Sequence, residues 1–282
     1  KVPVTNPDGT TSYGNANSYS FGSDLKYGID DRFTIDLTLL PDFSQVQSDN
    51  KIKNLSYREV VFDENRPFFK EGVELFNNGD LFYSRRIGRQ PRGYFAVAQG
   101  EEKVINNPEQ ARLMNAFKLS GRTNAGTGIG VLNAFTADTY ATVEDSLGNE
   151  KKILTEPLTN YNIVVFDQQL KNNSSIYLIN TNTSRELIYN NSNVTGSGFY
   201  FENKKNVWAL GGRGALSQNY SRINLPESNK LENIKGYSYE IEFQKVSGNF
   251  QFSLSREVKD DKYNVLEMGY FTINNNVSHN GN

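Results

Sequence analysis

Strict alternation of apolar and polar residues is the feature that most restricts how this chain of 282 residues folds. In the run from Phe33 to Leu39, apolar side chains occupy every second position, with Thr or Asp between them. Successive side chains of a β-strand point to opposite faces, so this run is a strand with one apolar face. The same alternation over residues 237–244 and 250–255 predicts strands late in the chain.

Tight turns join these runs into antiparallel hairpins. The first hairpin is predicted over residues 18–40, with its turn at 28–31. Further strand pairs are predicted over residues 114–124 with 127–142, 160–170 with 174–185, 194–203 with 206–219, and 237–244 with 250–255. Longer polar connections are predicted at 144–159 and 220–235. About ten strands result, longer than the usual strand of roughly 5–6 residues.

Two folds produce this pattern. A soluble ligand-binding sandwich turns its apolar face to a core, whereas an outer-membrane barrel turns it to lipid and its polar face to a wet lumen. Long strands, alternating short and long connections, and a mean hydropathy of −0.62 favour the barrel. No apolar run approaches the roughly 20 residues of a membrane helix. We therefore predict an all-β, antiparallel, up-and-down transmembrane outer-membrane β-barrel, partial in this chain, and keep the sandwich as an alternative.

Residues 41–110 break the alternation. Long irregular segments inside a compact protein are usually functional or disordered, and the density of Phe and Tyr here argues against disorder. We predict that this insert forms a plug in the lumen, with a small apolar core of Phe68, Phe69, Phe82 and Tyr83. In this division, residues 1–17 lead into the first hairpin and residues 111–282 continue the barrel.

Charged residues of the insert are the candidate site. Its arginines could bind an anion such as a carboxylate, phosphate or lipid headgroup, or could pair with carboxylates of the insert and hold the plug in place. The candidate ligand-binding or plug residues are Asp42, Asp49, Arg66, Phe68, Phe69, Glu71, Arg85, Arg86 and Arg89. Arg58 and Arg92 extend the same basic patch.

Composition excludes several kinds of chemistry. The chain has no Cys and one His, His279, so disulfides, Cys-ligated metals and thiol catalysis are excluded, and Ser-His-Asp triads nearly so. The acidic residues could ligate Ca²⁺, but no EF-hand spacing is present, so we assign no metal ligand and expect no cofactor. A net charge of −2 indicates no nucleic-acid partner. Asp42 and Glu71 could instead act as the acid and base of a glycan hydrolase.

Three motifs give the chain a family resemblance. They are DLTLLPDFSQVQSD at 36–49, RPFFKEG at 66–72 and LFYSRRIGR at 81–89, and shorter matches follow at 255–258, 263–264 and 268–270. In order and spacing they resemble the DUF5916 family, from whose usual pattern Lys70 departs. The resemblance implies the outer membrane of a Bacteroidetes-type Gram-negative bacterium. It also implies an N-terminal domain similar to a family 9 carbohydrate-binding module, followed by a barrel.

The resemblance carries an expectation about function. It implies location and architecture more than activity, and on that basis we predict a non-enzymatic outer-membrane protein that acts in transport or as a subunit of an outer-membrane assembly. Its partners would be outer-membrane lipid and other outer-membrane or periplasmic proteins, or a glycan under the hydrolase alternative. Family members are often labelled hydrolase without an established reaction, so enzymatic activity stays open. Family barrels have more strands than the ten visible here, so we expect further strands or partners to close the sheet.

Overall fold

Strands make up most of the structure. This computed structural model describes residues 2–5, 11–14, 22–41, 59–97, 102–185, 191–225 and 228–281. Within these ranges the strands are β1 Val2–Thr5, β2 Thr11–Gly14, β3 Ser23–Gly28, β4 Phe33–Leu39, β5 Lys103–Asn106, β6 Leu113–Arg122, β7 Thr127–Thr136, β8 Thr139–Glu144, β9 Glu150–Glu156, β10 Thr159–Gln169, β11 Ser175–Arg185, β12 Asn191–Glu202, β13 Trp208–Leu225, β14 Ser228–Lys245, β15 Phe252–Lys259 and β16 Asn276–Gly281. The helix α1 (Pro67–Lys70) and three 3-10 helices, Glu74–Asp80, Ser84–Arg86 and Tyr94–Ala96, precede β5.

One antiparallel sheet contains eleven of these strands. Its order is β16-β15-β14-β13-β12-β11-β10-β7-β6-β4-β3, and β5-β8-β9 and β1-β2 form two small sheets. Neighbours in the large sheet follow one another along the chain, apart from the excursions between β4 and β6 and between β7 and β10. The sheet is therefore an up-and-down meander, and the prediction of an all-β antiparallel fold is confirmed. In the described residues, β3 and β16 are its edges.

The two faces of this sheet have different environments. Along β10, Tyr161, Ile163 and Val165 are buried, whereas Val164 and Phe166 between them are exposed. Directly paired residues of antiparallel strands share a face, so this parity extends across the sheet. We call the side that bears Ile163 the insert face, because residues 59–97 pack on it, and the opposite side the outer face.

The first hairpin lies where the alternation predicts it. β3 pairs with β4, and the Asp30 carboxylate accepts hydrogen bonds from the backbone N–H groups of Arg32 (2.9 Å) and Phe33 (2.8 Å). This side-chain turn fixes the register of the pair. Phe33, Ile35, Leu37 and Leu39 then share the outer face, and residues 18–21 of the predicted hairpin lie outside the described residues.

Two predicted polar connections are wrong. Residues 144–159 contain β9, which pairs with β8 because Asp145 accepts backbone hydrogen bonds from Leu147 and Asn149 and closes a short turn. Within 220–235, β13 continues to Leu225 and β14 starts at Ser228. Paired backbone groups satisfy one another whatever the polarity of their side chains, so polar sequence does not end these strands.

Two further boundaries differ from the prediction. The single strand predicted over 127–142 stops at Thr136, and β8 leaves the large sheet to pair with β5 and β9. The carboxylate of Asp138 accepts a 2.6 Å hydrogen bond from the N–H of Leu158, which holds the chain in a bend there. The insert predicted to be irregular over 41–110 contains β5, which pairs with β8.

A glycine in β14 allows the segment 260–275 to cross the insert face. A Cβ at Gly236 would overlap the backbone of Lys262 and Tyr263. We predict that Gly236→Ala lowers the free energy of unfolding by about 1–3 kcal/mol, because the segment must move away from the sheet. Denaturant unfolding in detergent measures the change. Gly211→Ala on β13, where a Cβ meets neighbours at 3.6 Å or more, is the matched control; equal losses in both variants would contradict the prediction.

Candidate functional site

The insert carries an apolar cluster onto the insert face of the sheet. Phe69, Phe76, Leu81, Phe82 and Ile87 are at most 3% exposed. They belong to one core with residues of β6, β7, β10, β11 and β12, namely Leu113, Ala116, Leu132, Ala134, Tyr161, Ile163, Val165, Ile179 and Val194. The sheet is therefore apolar on both faces here, contrary to the predicted polar lumen face, because the insert supplies an apolar surface of its own.

Small residues of the sheet make room for the insert. The ring of Phe76 lies over Gly130, where a Cβ would be 3.0 Å from Phe76 Cζ, and Leu75 lies over Gly128 in the same way, at 2.7 Å. Side chains at these strand positions would push Leu75 and Phe76 away from the sheet. The Gly-x-Gly-x-Gly run at 126–130 is thus a packing surface on β7, consistent with its prediction as small residues on a strand.

Arg66 is the centre of a buried hydrogen-bond network inside the insert. Its guanidinium donates to both carboxylate oxygens of Glu64 (2.9 and 2.7 Å) and to the carbonyls of Ser84 (2.8 Å) and Ile87 (2.7 Å). The guanidinium also stacks 4.3 Å from the ring centroid of Phe69. Burial raises the pKa of Glu64, but the hydrogen bond and charge of Arg66 outweigh burial and hold that pKa below its usual value.

Other predicted arginines have partners as well, whereas Arg58 lies outside the described residues. Arg86 pairs with Glu59 and donates a 3.0 Å hydrogen bond to the carbonyl of Gly269. Arg85 donates to the carbonyl of Asp63. Arg89 contacts Glu267, a residue far along the chain.

The remaining predicted residues surround α1. Pro67 begins this helix, because proline is suited to the first helical position. Lys118 of β6, although buried, donates to the carbonyl of Phe68 (2.7 Å) and to that of Glu71, and it pairs with Asp36 at 3.1 Å. The Glu71 carboxylate itself forms an exposed pair with Lys26. Asp42 and Asp49 lie outside the described residues.

A buried ionic network links the insert to β9, β11 and the segment 260–275. Arg185, whose side chain is fully buried, donates to Glu156 (3.0 Å) and Glu267 (2.9 Å). Arg89 and Arg92 of the insert also pair with Glu267. Burial raises the pKa of Glu267, but the charges of the three arginines outweigh burial and lower it overall.

Three adjoining cavities follow β13 and β14 along the insert face, beside the insert. The first, about 290 Å³, is lined by Tyr177, Gly211, Arg213, Glu240 and Glu242 among others. A second, about 50 Å³, shares Tyr177 and Arg213 with it. A third, about 370 Å³, shares Tyr263 and Thr272 with the second.

Asp80 reaches the narrow middle cavity from the insert. It lies beside Gly79, and both residues have positive φ (59° and 72°), which turns the chain toward the sheet. Arg213 Nη1 donates to Asp80 (2.7 Å) and Arg213 Nε donates to Glu240 (2.6 Å), so one guanidinium bridges the insert and the sheet.

Tyr263 faces the same middle cavity. The residue is 4% exposed, and no hydrogen bond to its hydroxyl is formed in the part of the chain that the structure describes. Burial, together with Asp80 and Glu257, raises its pKa to about 12 although Arg213 acts in the opposite direction. The hydroxyl is therefore neutral and lies among charged side chains.

Sequence reasoning missed this charged row. Arg213, Glu240 and Glu257 are direct partners across β13, β14 and β15. The register of the hairpin that turns at 246–251 would have aligned Glu240 with Glu257, but the acidic partner from the insert, Asp80, has no sequence signal. Glu156, Arg185 and Glu267 were missed for the same reason, because they are distant along the chain.

Clusters of metal-ligating side chains and membrane-spanning helices are both absent from the described residues. No group of three or more His, Asp or Glu side chains there is arranged to hold a metal ion. No helix in those ranges has the length and apolar character needed to cross a membrane.

The fold and the site define an antiparallel meander sheet whose insert face is covered by an ionic, aromatic segment. The chain belongs to the DUF5916 family: the family model described as a domain of unknown function, DUF5916, matches residues 4–282. No curated protein and no solved structure matches the chain.

Proposed function

We propose that this chain is the wall and plug of an outer-membrane β-barrel, with no enzymatic activity, acting in transport or as a subunit of an outer-membrane assembly. The observation that carries the proposal is the contrast between the two faces of the sheet. The insert face is covered by a folded, charged segment. The outer face leaves large apolar side chains exposed from β3 to β16, and an exposed apolar surface of this extent marks contact with a membrane or a partner.

These exposed side chains occur on nearly every strand of the large sheet. They are Leu25, Tyr27, Leu39, Val164, Phe166, Ile176, Leu178, Phe201, Leu210, Leu216, Tyr237, Tyr239, Ile241, Phe243, Leu254 and Val277. Contact with lipid would shield these apolar side chains from water without a further protein. Aromatic residues are frequent among them, as in barrels with aromatic girdles.

The ends of the strands support the same proposal. Short turns at 29–32, 123–126, 170–174, 203–207 and 246–251 lie at one end. The other end has the long connections 40–112, 137–158 and 260–275 and two short ones, 186–190 and 226–227. All the long connections thus lie at one end, as in outer-membrane barrels. Toward the end with the long connections, the outer face becomes polar in a row of directly paired amides, Asn133, Asn162, Asn182, Asn193 and Gln218. A boundary between lipid and water would account for this change.

The hydrolase alternative has less support. Glu59, Glu64 and Glu71 each pair with a cation. A general acid needs a raised pKa, whereas the pKa of Glu64 is lowered, and the hydrogen bond from Lys26 lowers that of Glu71. These three carboxylates therefore resemble structural partners of cations.

Single-cysteine labelling tests the membrane proposal. The chain has no Cys, so Leu254→Cys on the outer face and Ser255→Cys on the insert face each take one nitroxide label. In lipid vesicles we expect the label at 254 to be reached by dissolved oxygen and the label at 255 by a water-soluble reagent. Aqueous access to both labels, together with a gel mobility that heating does not change, would overturn the proposal.

A further inference from the structure

The strand wall beside the insert is only partly covered. On β7, β10 and β11 the residues of the insert face are buried under the insert, for example Leu132, Ile163 and Ile179 at 0% exposure. On β13 and β14 this face is buried at Ala209, Ser217 and Gly236, but Arg213 between them is exposed and Glu240 and Glu242 are half-buried. The insert thus leaves a strip of this face open to solvent.

The three cavities follow this strip along the strands. They lie in succession from Glu242 near the short turns, past Ser238, to Ile234 near the long connections. Consecutive cavities share wall residues, so only the small middle cavity of about 50 Å³ narrows the route. The bridge from Arg213 to Asp80 stands at that narrowing.

Carboxylates outnumber cations along this route. The lining contains five carboxylates, from Asp80, Glu240, Glu242, Glu257 and Asp261, and three cations, from Arg213, Lys259 and Lys262. Lys259 neutralises Glu257 at 2.8 Å and Arg213 is shared by two carboxylates. Glu242 has no cationic partner in the described residues. A channel with excess negative charge between low-dielectric walls concentrates cations.

The Tyr263 hydroxyl adds a second, independent observation. It has no protein partner in the described residues, and Tyr263 lines the middle cavity together with Asp80, Arg213 and Glu257. A hydroxyl that has no protein partner and lines a cavity is satisfied by water from that cavity.

We propose that the strip is a water-filled, cation-selective passage along the wall formed by β13, β14 and β15, bounded by the insert at the middle cavity and by the segment 260–275 at the third. Its solutes are small hydrated cations. Its narrow point is the bridge between Asp80 and Arg213, and Glu242 is the carboxylate of the first cavity that has no ion pair in the described residues. The inference rests on the proposed barrel and names the solute class that the barrel would conduct.

Conductance of the full-length protein in planar bilayers tests the passage. Under a KCl gradient we expect the reversal potential to show higher permeability for K⁺ than for Cl⁻. Glu242→Gln should reduce this preference several-fold and Glu242→Lys should reverse it, because each removes negative charge from the lining. Arg213→Gln should shift the preference in the opposite direction. If Arg213 had a purely structural role, its replacement would not shift the ion preference in the direction opposite to the shift caused by Glu242→Gln.

Glu150→Gln is the matched control, since Glu150 is exposed on β9 in the small sheet. A variant is compared only if its unheated gel band matches that of the wild type. Channels that prefer Cl⁻, or that keep their preference in both Glu242 variants, would overturn the passage. If the protein inserts and passes the labelling test but conducts no ions, the passage is overturned and the barrel stands. If the labelling test fails, both the barrel and the passage are overturned.

Discussion

Replacing Arg185 with Met should cost about 3–5 kcal/mol of unfolding free energy, because Glu156 and Glu267 would stay buried without their main cation. The Arg185 side chain is fully buried and reaches both carboxylates within 3.0 Å. Chemical denaturation in detergent, followed by Trp208 fluorescence or circular dichroism, measures the change. Adding Glu156→Gln to the variant should recover part of the loss, because it removes one of the unpaired charges.

Arg32→Met is the matched control. Arg32 and Asp30 form an exposed pair at a turn, and exposed pairs contribute about 0–1 kcal/mol. Equal effects at Arg32 and Arg185 would show that the buried network does not stabilise the fold.

The pH dependence of the unfolding free energy is a second test of the same network. The pKa of Glu267 is lowered in the folded protein, so its stabilising contribution is present above the ordinary carboxyl pKa and is lost as the pH falls through the lowered value. In Arg185→Met this difference between folded and unfolded states shrinks. The variant should therefore lose less stability on acidification than the wild type does.

Phe76→Ala should cost about 3–5 kcal/mol, the usual range for removing a buried phenylalanine. Phe76 is 0% exposed and fills the space above Gly130, so its removal leaves a cavity between the insert and β7. Because Phe76 belongs to the contact that holds the insert to the sheet, protease cleavage within 59–97 should also become faster. The unfolding midpoint and the cleavage rate are the two measurements.

Phe95→Ala provides the control within the same insert, since Phe95 is 86% exposed. We expect its unfolding free energy to change by at most about 0.5 kcal/mol. If cleavage accelerated equally in both variants, the insert would not depend on the contact at Phe76.

Local pairings within the insert were partly predictable. Arg66 pairs with Glu64 and Arg86 with Glu59, as expected from the prediction that arginines of the insert pair with its carboxylates. The partner of Arg89 was not predictable, because Glu267 lies 178 positions away. A charge that is close in space and distant in sequence leaves no periodic signal.

The strands also show which features of the fold can be predicted from local sequence and which cannot. Alternation such as that from Phe33 to Leu39 predicted the strands, the hairpins and the residues that share a face, because the two-residue period and the turn residues are local properties. It did not predict β9 or the break after Thr136, where single Asp side chains form turns.

The sequence by itself therefore determined an antiparallel meander of two-faced strands, because backbone geometry ties alternation to faces. Only the tertiary structure decided which face is covered. Ile163 and Val164 are neighbours of similar apolarity, yet the first is buried and the second exposed. The difference arises because the insert packs on the side of the sheet that bears Ile163, where its aromatic core and its arginines have their partners.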